Sequence, residues 1–173
     1  PGKKSTMEEI GARFDADVER FSNLETGQQA VIDAPLMLEL ISQAAARIKP
    51  DAGNLLDIGS GAGNNTISIL RLLPGLNCDL VDLSLPMLER ARERLARENA
   101  GEVRMFHGDF RDAALPSSHY DIIVAAAVLH HLRDDADWES CFHKVFDLLK
   151  PGGVFLVSDM VWSGSPALHA LEW

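Results

Sequence analysis

The stretch Asn54-Leu55-Leu56-Asp57-Ile58-Gly59-Ser60-Gly61-Ala62-Gly63-Asn64-Asn65-Thr66 decides the fold. A short apolar run, Leu55 to Ile58, stops at glycines on alternate positions, Gly59, Gly61 and Gly63. A second apolar segment, Ile67 to Leu73, follows and ends at Pro74-Gly75. That order reads as a buried strand, a tight turn and a helix start. Glycine suits the turn because it accepts positive φ without a Cβ clash and lets backbone approach a ligand closely. The helix start adds unpaired N–H groups and a partial positive charge, which favour anionic groups nearby.

A glycine turn alone also serves as a plain connection between strand and helix, so the flanking segments must decide its use. A dinucleotide site wants G-x-G-x-x-G or G-x-G-x-x-A. Counted from Gly59 the third position is Asn64, and counted from Gly61 it is Thr66, so that fingerprint fails in both registers.

Working outward, Cys78 to Leu83 reads as a second strand ending in an acid, and Ser84 caps a helix with Pro86 in its first turn. Met87 to Asn99 carry that helix. Glu102 to Phe106 form a third strand, followed by His107-Gly108-Asp109-Phe110. Tyr120 to Ala127 are nearly all apolar, as in a central parallel strand. Trp138, Cys141, Phe142, Val145, Phe146 and Leu149 mark a long helix that stops at Lys150-Pro151-Gly152-Gly153, and Val154 to Ser158 form the fifth strand. Ser165-Pro166 opens a further helix. Five strands alternating with helices predict an α/β fold with a doubly wound, mainly parallel sheet and right-handed crossovers.

Ahead of the first strand, Leu36, Met37, Leu40, Ile41, Ala44, Ala45 and Ile48 repeat at helical spacing, with Asp33 as N-cap and Pro35 in the first turn. Ile10, Phe14, Val18 and Phe21 make a sparser helical stripe in an acidic segment ending near Asn23, and Glu25 to Gln29 read as a loop. We therefore expect two parts, a helical cover over residues 1–33 and a ligand-binding domain over 34–173, with Phe14 or Phe21 packed toward the cleft.

Composition narrows the partners. At 173 residues the chain suffices for one domain with a sizeable core, and 46% apolar residues exclude a disordered polymer. A net charge of −10 argues against a broad nucleic-acid surface, since phosphate neutralisation needs clustered Lys and Arg. Arg90, Arg92, Arg94 and Arg97 are interleaved with Glu89, Glu93 and Glu98, which reads as a mixed solvated helix face. No apolar run reaches the ~20 residues that span a bilayer, and the start, with Glu8 and Glu9 close behind Lys3-Lys4, is unlike a signal peptide. Cys78 and Cys141 lie far apart and suggest neither a disulfide framework nor a metal site, so a cytoplasmic location is expected.

Polar residues and glycines gather where such sheets bind ligands, at the carboxyl ends of the strands. Gly59, Ser60 and Gly61 follow strand one. Asp82 follows strand two, 19 residues after Gly63, where an acid can accept both hydroxyls of an adenosine ribose. Asp109-Phe110 follow strand three, offering a carboxylate for the adenine amino group and an apolar flank for its ring.

Five segments carry a family resemblance. Leu56 to Gly63, Asp79 to Leu88, Gly108-Asp109-Phe110, Tyr120 to Val124 and Leu148 to Gly153 resemble, in order, the successive motifs of class I S-adenosylmethionine-dependent methyltransferases. The resemblance covers residues 54–158. It implies a Rossmann-like methyltransferase fold, S-adenosyl-L-methionine as cofactor, and direct in-line transfer of its methyl group to an acceptor. Gly59, Ser60 and Gly61 would face the methionine part, Asp82 and Leu83 the ribose, Asp109 and Phe110 the adenine, and Ala126 would line the pocket beside the sulfonium. The two strands that usually close the family sheet after the fifth are not in this sequence.

Departures from the family patterns bear on the acceptor. Enzymes that methylate amino groups often carry an Asn/Asp-Pro-Pro-Tyr/Phe motif after strand four, where this chain has Ala125-Ala126-Ala127-Val128-Leu129. Metal-dependent catechol-type relatives place a ligating Asp near that point, and alanines cannot ligate, so no metal is expected. His130, in Leu129-His130-His131-Leu132, is the candidate general base, although that segment is common in the family regardless of substrate. The acceptor is a small molecule or, alternatively, a tRNA nucleoside. Phe14 to Arg20 is also similar to an element of carboxy-S-adenosylmethionine synthases, which use the same cofactor differently. A cofactor-binding module without turnover is the remaining alternative.

Overall fold

Leu55, Leu56, Leu80, Ile122, Ile123 and Val124 have no exposed surface, which is why the apolar runs of this chain form interior strands with layers on both faces. The computed structural model describes residues 6–16, 18–19 and 34–159. Its elements are α1 (Met7–Asp15), α2 (Ala34–Ile48), β1 (Asn54–Ile58), α3 (Asn64–Leu70), β2 (Asn77–Asp82), α4 (Leu85–Leu95), β3 (Val103–His107), β4 (Tyr120–Ala126), α5 (Asp135–Leu148) and β5 (Leu149–Ser158). A 3-10 turn, Leu129–His131, lies between β4 and α5.

The sheet order is β3-β2-β1-β4-β5 and all four pairings are parallel. Chain direction across the sheet reverses between β1 and β4, so the crevice of a doubly wound fold opens beyond their carboxyl ends. On one face, α2, α3 and α4 press Ile41, Ala45, Ile67, Ile69, Leu88 and Ala91 onto Leu55, Cys78, Leu80 and Ile122. On the other, α5 brings Cys141, Val145 and Leu148 onto Leu56, Tyr120 and Ile123, and the β3–β4 connection adds Phe110. Both cysteines are buried free thiols.

The expected strands and helices are present within a few residues, with four differences. Between β3 and β4 the described chain makes turns and no helix, because residues 108–119 carry Pro116 and two serines and no helical stripe. Strand β5 begins at Leu149 and not Val154, taking in the Pro-Gly-Gly segment; Leu149 pairs with Tyr120, and a register shift absorbs the extra residues before Val154 pairs with Ile122. Trp138, Phe142 and Phe146 lie on the exposed side of α5, Phe146 at 78% exposure, because β5 is the edge strand. Finally, Arg94 is no solvated surface charge: it donates to Ala62 O at 2.5 Å and Asn64 Oδ1 at 2.7 Å, tying α4 to the glycine turn.

Capping follows the sequence closely. The Ser84 hydroxyl accepts from Met87 N–H at 3.3 Å, and Thr6 and Glu9 form a capping box on α1. Asp33, Phe21, the loop at residues 25–29 and the helix expected from Ser165 lie outside the described residues. No helix among the described residues is long and apolar enough to cross a membrane.

Candidate active site

The glycine turn is locked from three sides. Gly59 and Ser60 N–H both donate to Val81 O, at 2.9 and 3.1 Å, and Gly63 N–H returns to Ser60 O at 2.9 Å. Gly59 holds φ +64, and a Cβ built there would lie 2.8 Å from Val128 Cβ, so position 59 needs glycine for both conformation and space. Gly63, at φ +80, ends the turn as the N-cap of α3. Two buried polar atoms at this turn, Asp57 Oδ1 and Ser60 Oγ, have no partner among the described residues. Asp57 Oδ2 accepts from the Thr66 hydroxyl at 2.7 Å. Burial pushes the Asp57 carboxyl up to about 7, against the lowering effect of that hydrogen bond.

At the end of β2, Asp82 spans the gap between two chain turns. Its Oδ2 accepts from Gly61 N–H at 2.7 Å and its Oδ1 from Ser84 N–H at 2.8 Å. Burial raises its carboxyl above the usual range despite these donors. At the end of β3, Asp109 is held by Arg111, whose Nη2 lies 2.6 Å from Oδ2 and which also pairs with Asp137. Burial would raise Asp109, but the Arg111 guanidinium holds it below the usual carboxylate range. A carboxylate has about four acceptor sites, so Asp82 keeps capacity for a ligand donor beyond these bonds, whereas Asp109 already takes four bonds from the backbone and guanidinium of Arg111.

One cavity joins these parts. Its walls come from Ile58 and Gly59 after β1, Val81, Asp82 and Leu83 after β2, Gly108 to Arg111 after β3, and Val128, Leu129, His131 and Leu132 after β4. Its inner volume is about 60 Å³, and it opens to solvent. Five of the residues expected from sequence, Gly59, Asp82, Leu83, Asp109 and Phe110, therefore share its wall. Ser60 and Gly61 lie on the same turn but outside the wall, and Ala126, at the carboxyl end of β4, is not part of it. Ala127 next to it adopts φ 55, unusual for a residue with a Cβ.

His130 also stands outside the wall. Its Nδ1 lies 2.7 Å from Asp159 Oδ1, and its backbone N–H donates to Asp159 Oδ2 at 3.1 Å. His131 is the histidine of the wall, and the Phe14 ring of α1 meets it edge-on at 6.4 Å between centroids. Helix α1 is fastened beside the cavity by the Ser84 hydroxyl, which donates to Asp15 Oδ1 at 2.5 Å.

Of the two histidines the sequence put forward, the favoured His130 is outside the wall and His131 is in it; Val128, Leu129, Leu132 and Arg111 were not expected as wall residues, nor Asp159 as partner of His130. Only Arg111 carried a local signal, a base two residues after an acid in a turn. The others depend on how β4 and β5 end side by side.

The residues fit an adenosyl-sulfonium cofactor: carboxylates after β2 and β3, an apolar ring beside the second, and unpartnered buried oxygens at the glycine turn. Comparison with known proteins agrees. Residues 56–155, more than half of the chain, match the methyltransferase domain family, and the chain belongs to the class I S-adenosylmethionine-dependent methyltransferase family. Among its relatives, an uncharacterised methyltransferase of Mycobacterium tuberculosis is 31% identical over 119 residues, covering 69% of this chain and 55% of that protein. A carboxy-S-adenosyl-L-methionine synthase of Aeromonas salmonicida is 30% identical over 135 residues, covering 76% of this chain and 53% of the synthase. The solved DhpI-SAM-HEP complex superposes with a TM-score of 0.67 at 23% identity, covering 100% of this chain and 74% of that one, which shows the common fold. The chain thus spans about half the length of the curated relatives it matches.

Proposed function

We propose that this chain binds S-adenosyl-L-methionine and transfers its methyl group, by direct in-line displacement, to an acceptor of small-molecule size. The observation that carries the reading is the shared cavity of Gly59, Asp82, Leu83, Asp109 and Phe110 at the reversal point of the sheet. When bound, the cofactor supplies an electrophilic methyl group on a sulfonium. The turn residues Gly59, Ser60 and Gly61 hold its methionine part, where the buried Ser60 hydroxyl can donate and the buried Asp57 Oδ1 can accept. Asp82 and Leu83 hold the ribose, Asp109 and Phe110 the adenine, and Ala126 keeps a small side chain near the reacting carbon. Alignment of two reactants in such a cleft supplies about 7–11 kcal/mol of the barrier reduction.

The N-terminal segment, residues 1–33, acts as a cover on the domain formed by residues 34–173. Support comes from the docking of Asp15 on Ser84 and of Phe14 on His131, both beside the cavity. Calorimetry tests both parts. S-adenosylhomocysteine should bind and NAD should not, and removal of residues 1–30 should weaken binding. Tight NAD binding would overturn the reading.

A second reading is favoured by one observation, the 30% identity to a carboxy-S-adenosyl-L-methionine synthase. In that case the chain would modify the cofactor and not spend its methyl group. Mass analysis of the nucleotide that co-purifies with the chain separates the two, since a carboxylated sulfonium is heavier than S-adenosylmethionine.

A further inference from the structure

The ends of β4 and β5 are stitched together. Ala126 pairs with Ser158, and Ala127 N–H donates to Ser158 O at 2.7 Å. The next residue of β5's chain, Asp159, thereby meets the 3-10 turn that follows β4. Its carboxylate grips His130 at two points, the backbone N–H and the ring Nδ1. A carboxylate only accepts, so the neutral imidazole bonded to it carries its hydrogen on Nδ1 and keeps the lone pair on Nε2. Asp159 is 9% exposed and His130 28%, so the couple is sheltered yet reachable.

The carboxylates at this end of the sheet already accept hydrogen bonds from the chain. Asp82 takes two backbone N–H groups, Asp109 is gripped by Arg111, and Asp57 is buried behind the turn. His131, its ring centroid 4.1 Å from that of His130, is pushed down to about 4 by burial first and then by His130, and so stays neutral. The charged groups that face this pair are Asp159 from the end of β5 and Arg13 from α1.

Although His130 is not itself part of the wall, its chain neighbours Leu129 and His131 are. We propose, on the methyltransferase reading, that His130 is a catalytic base for a hydroxyl acceptor entering beside them and that Asp159 is its positioning residue. His130 Nε2 takes the acceptor's O–H proton as the oxygen bonds to the methyl carbon. The carbon–sulfur bond breaks with its electron pair remaining on sulfur, so the sulfonium becomes a neutral thioether and the positive charge passes to the imidazolium. Loss of the proton to water resets the ring. A nucleophile without a proton to lose would need no such arrangement, and a hydroxyl gains most from it, because its oxygen is a weak nucleophile until the proton leaves; alcohols and phenols are therefore the acceptor class proposed.

The test has a structural and a kinetic arm, both on the full chain. In ¹⁵N-histidine NMR, neutral His130 should be the Nδ1–H tautomer, and Asp159→Leu should abolish that preference. An Nε2–H ring in the native chain would overturn the proposal. In the kinetic arm, 4-methylumbelliferone and a set of simple alcohols are the acceptors, read by formation of S-adenosylhomocysteine. His130→Ala should lower kcat about 10²- to 10⁴-fold with KM little changed, and imidazole in the buffer should restore part of the rate. Asp159→Asn should lower kcat about tenfold or more. Unaltered kcat in His130→Ala, or no turnover of any hydroxyl probe by a chain that binds S-adenosylhomocysteine, would overturn it. Absence of S-adenosylhomocysteine binding to the native chain would instead remove the methyltransferase reading beneath it.

Discussion

The two ends of the sheet treat their buried carboxylates differently. In its amino-terminal half, Asp79 receives a bidentate Arg104, at 2.8 and 2.7 Å, and the hydroxyl of Tyr120. Asp121 receives two backbone N–H groups, from Gly53 and Asn54, and Lys150. Burial would raise Asp121, but these donors hold it below the usual carboxylate range. At the carboxyl end, Asp57 keeps an unpartnered oxygen and is pushed up to about 7 by burial, and the neighbouring Ser60 Oγ is buried without a partner among the described residues. One end is completed for stability. The other leaves polar atoms unmatched, the pattern expected where a ligand completes the structure.

The largest effect that would sharpen this contrast is Asp79→Ala. It strands the Tyr120 hydroxyl and the Arg104 guanidinium, and should cost about 3 kcal/mol in urea unfolding, the low end for a broken buried pair because Arg104 is 41% exposed. Affinity for S-adenosylhomocysteine should stay unchanged in calorimetry. Asp82→Ala should do the reverse. Removal of a charged acceptor costs about 1.5–3 kcal/mol of binding, so affinity falls about ten- to a hundredfold in a chain that still folds. If Asp82→Ala loses stability as Asp79→Ala does while keeping its affinity, Asp82 is only the clamp on Gly61 and Ser84, and the contrast breaks.

A further effect is spread over pH. Folded Asp57 takes up its proton near 7, against 3.8 for the unfolded side chain. Between those values the folded chain binds more protons than the unfolded one. Its stability therefore falls as pH rises through that window and levels off above it. Asp57→Asn should remove a slope of at most about 1.4 kcal/mol per pH step, visible in melting temperatures from pH 4 to 8. A slope that survives the substitution would assign it to other groups.

The sheet was legible because its strands are short apolar runs punctuated by Gly, Pro and helix caps, signals that act over a few residues. The glycine turn, Asp82 and Asp109 were legible for the same reason: each stands just past the end of a readable strand. What lay hidden was set by lateral contact. The pairing of His130 with Asp159 needs β4 and β5 to be neighbours in a fixed register, and Val128 reaches Gly59 across 69 residues of sequence. The extension of β5 through Pro151-Gly152-Gly153 went unread because a turn signature outweighs edge pairing in a local reading. Arg94 looked like one charge among many until α4 was laid against the glycine turn.

The contact of Val128 with Gly59 has a consequence in time. The Val128 side chain stands against the glycine turn, its Cβ 2.8 Å from where a Cβ at Gly59 would lie. Ala127, held at φ 55, precedes that side chain. In a stopped-flow mixing experiment, the observed rate of S-adenosylhomocysteine association should therefore climb with concentration and then reach a plateau, set by how often Val128 leaves the glycine turn. Val128→Ala should raise that plateau.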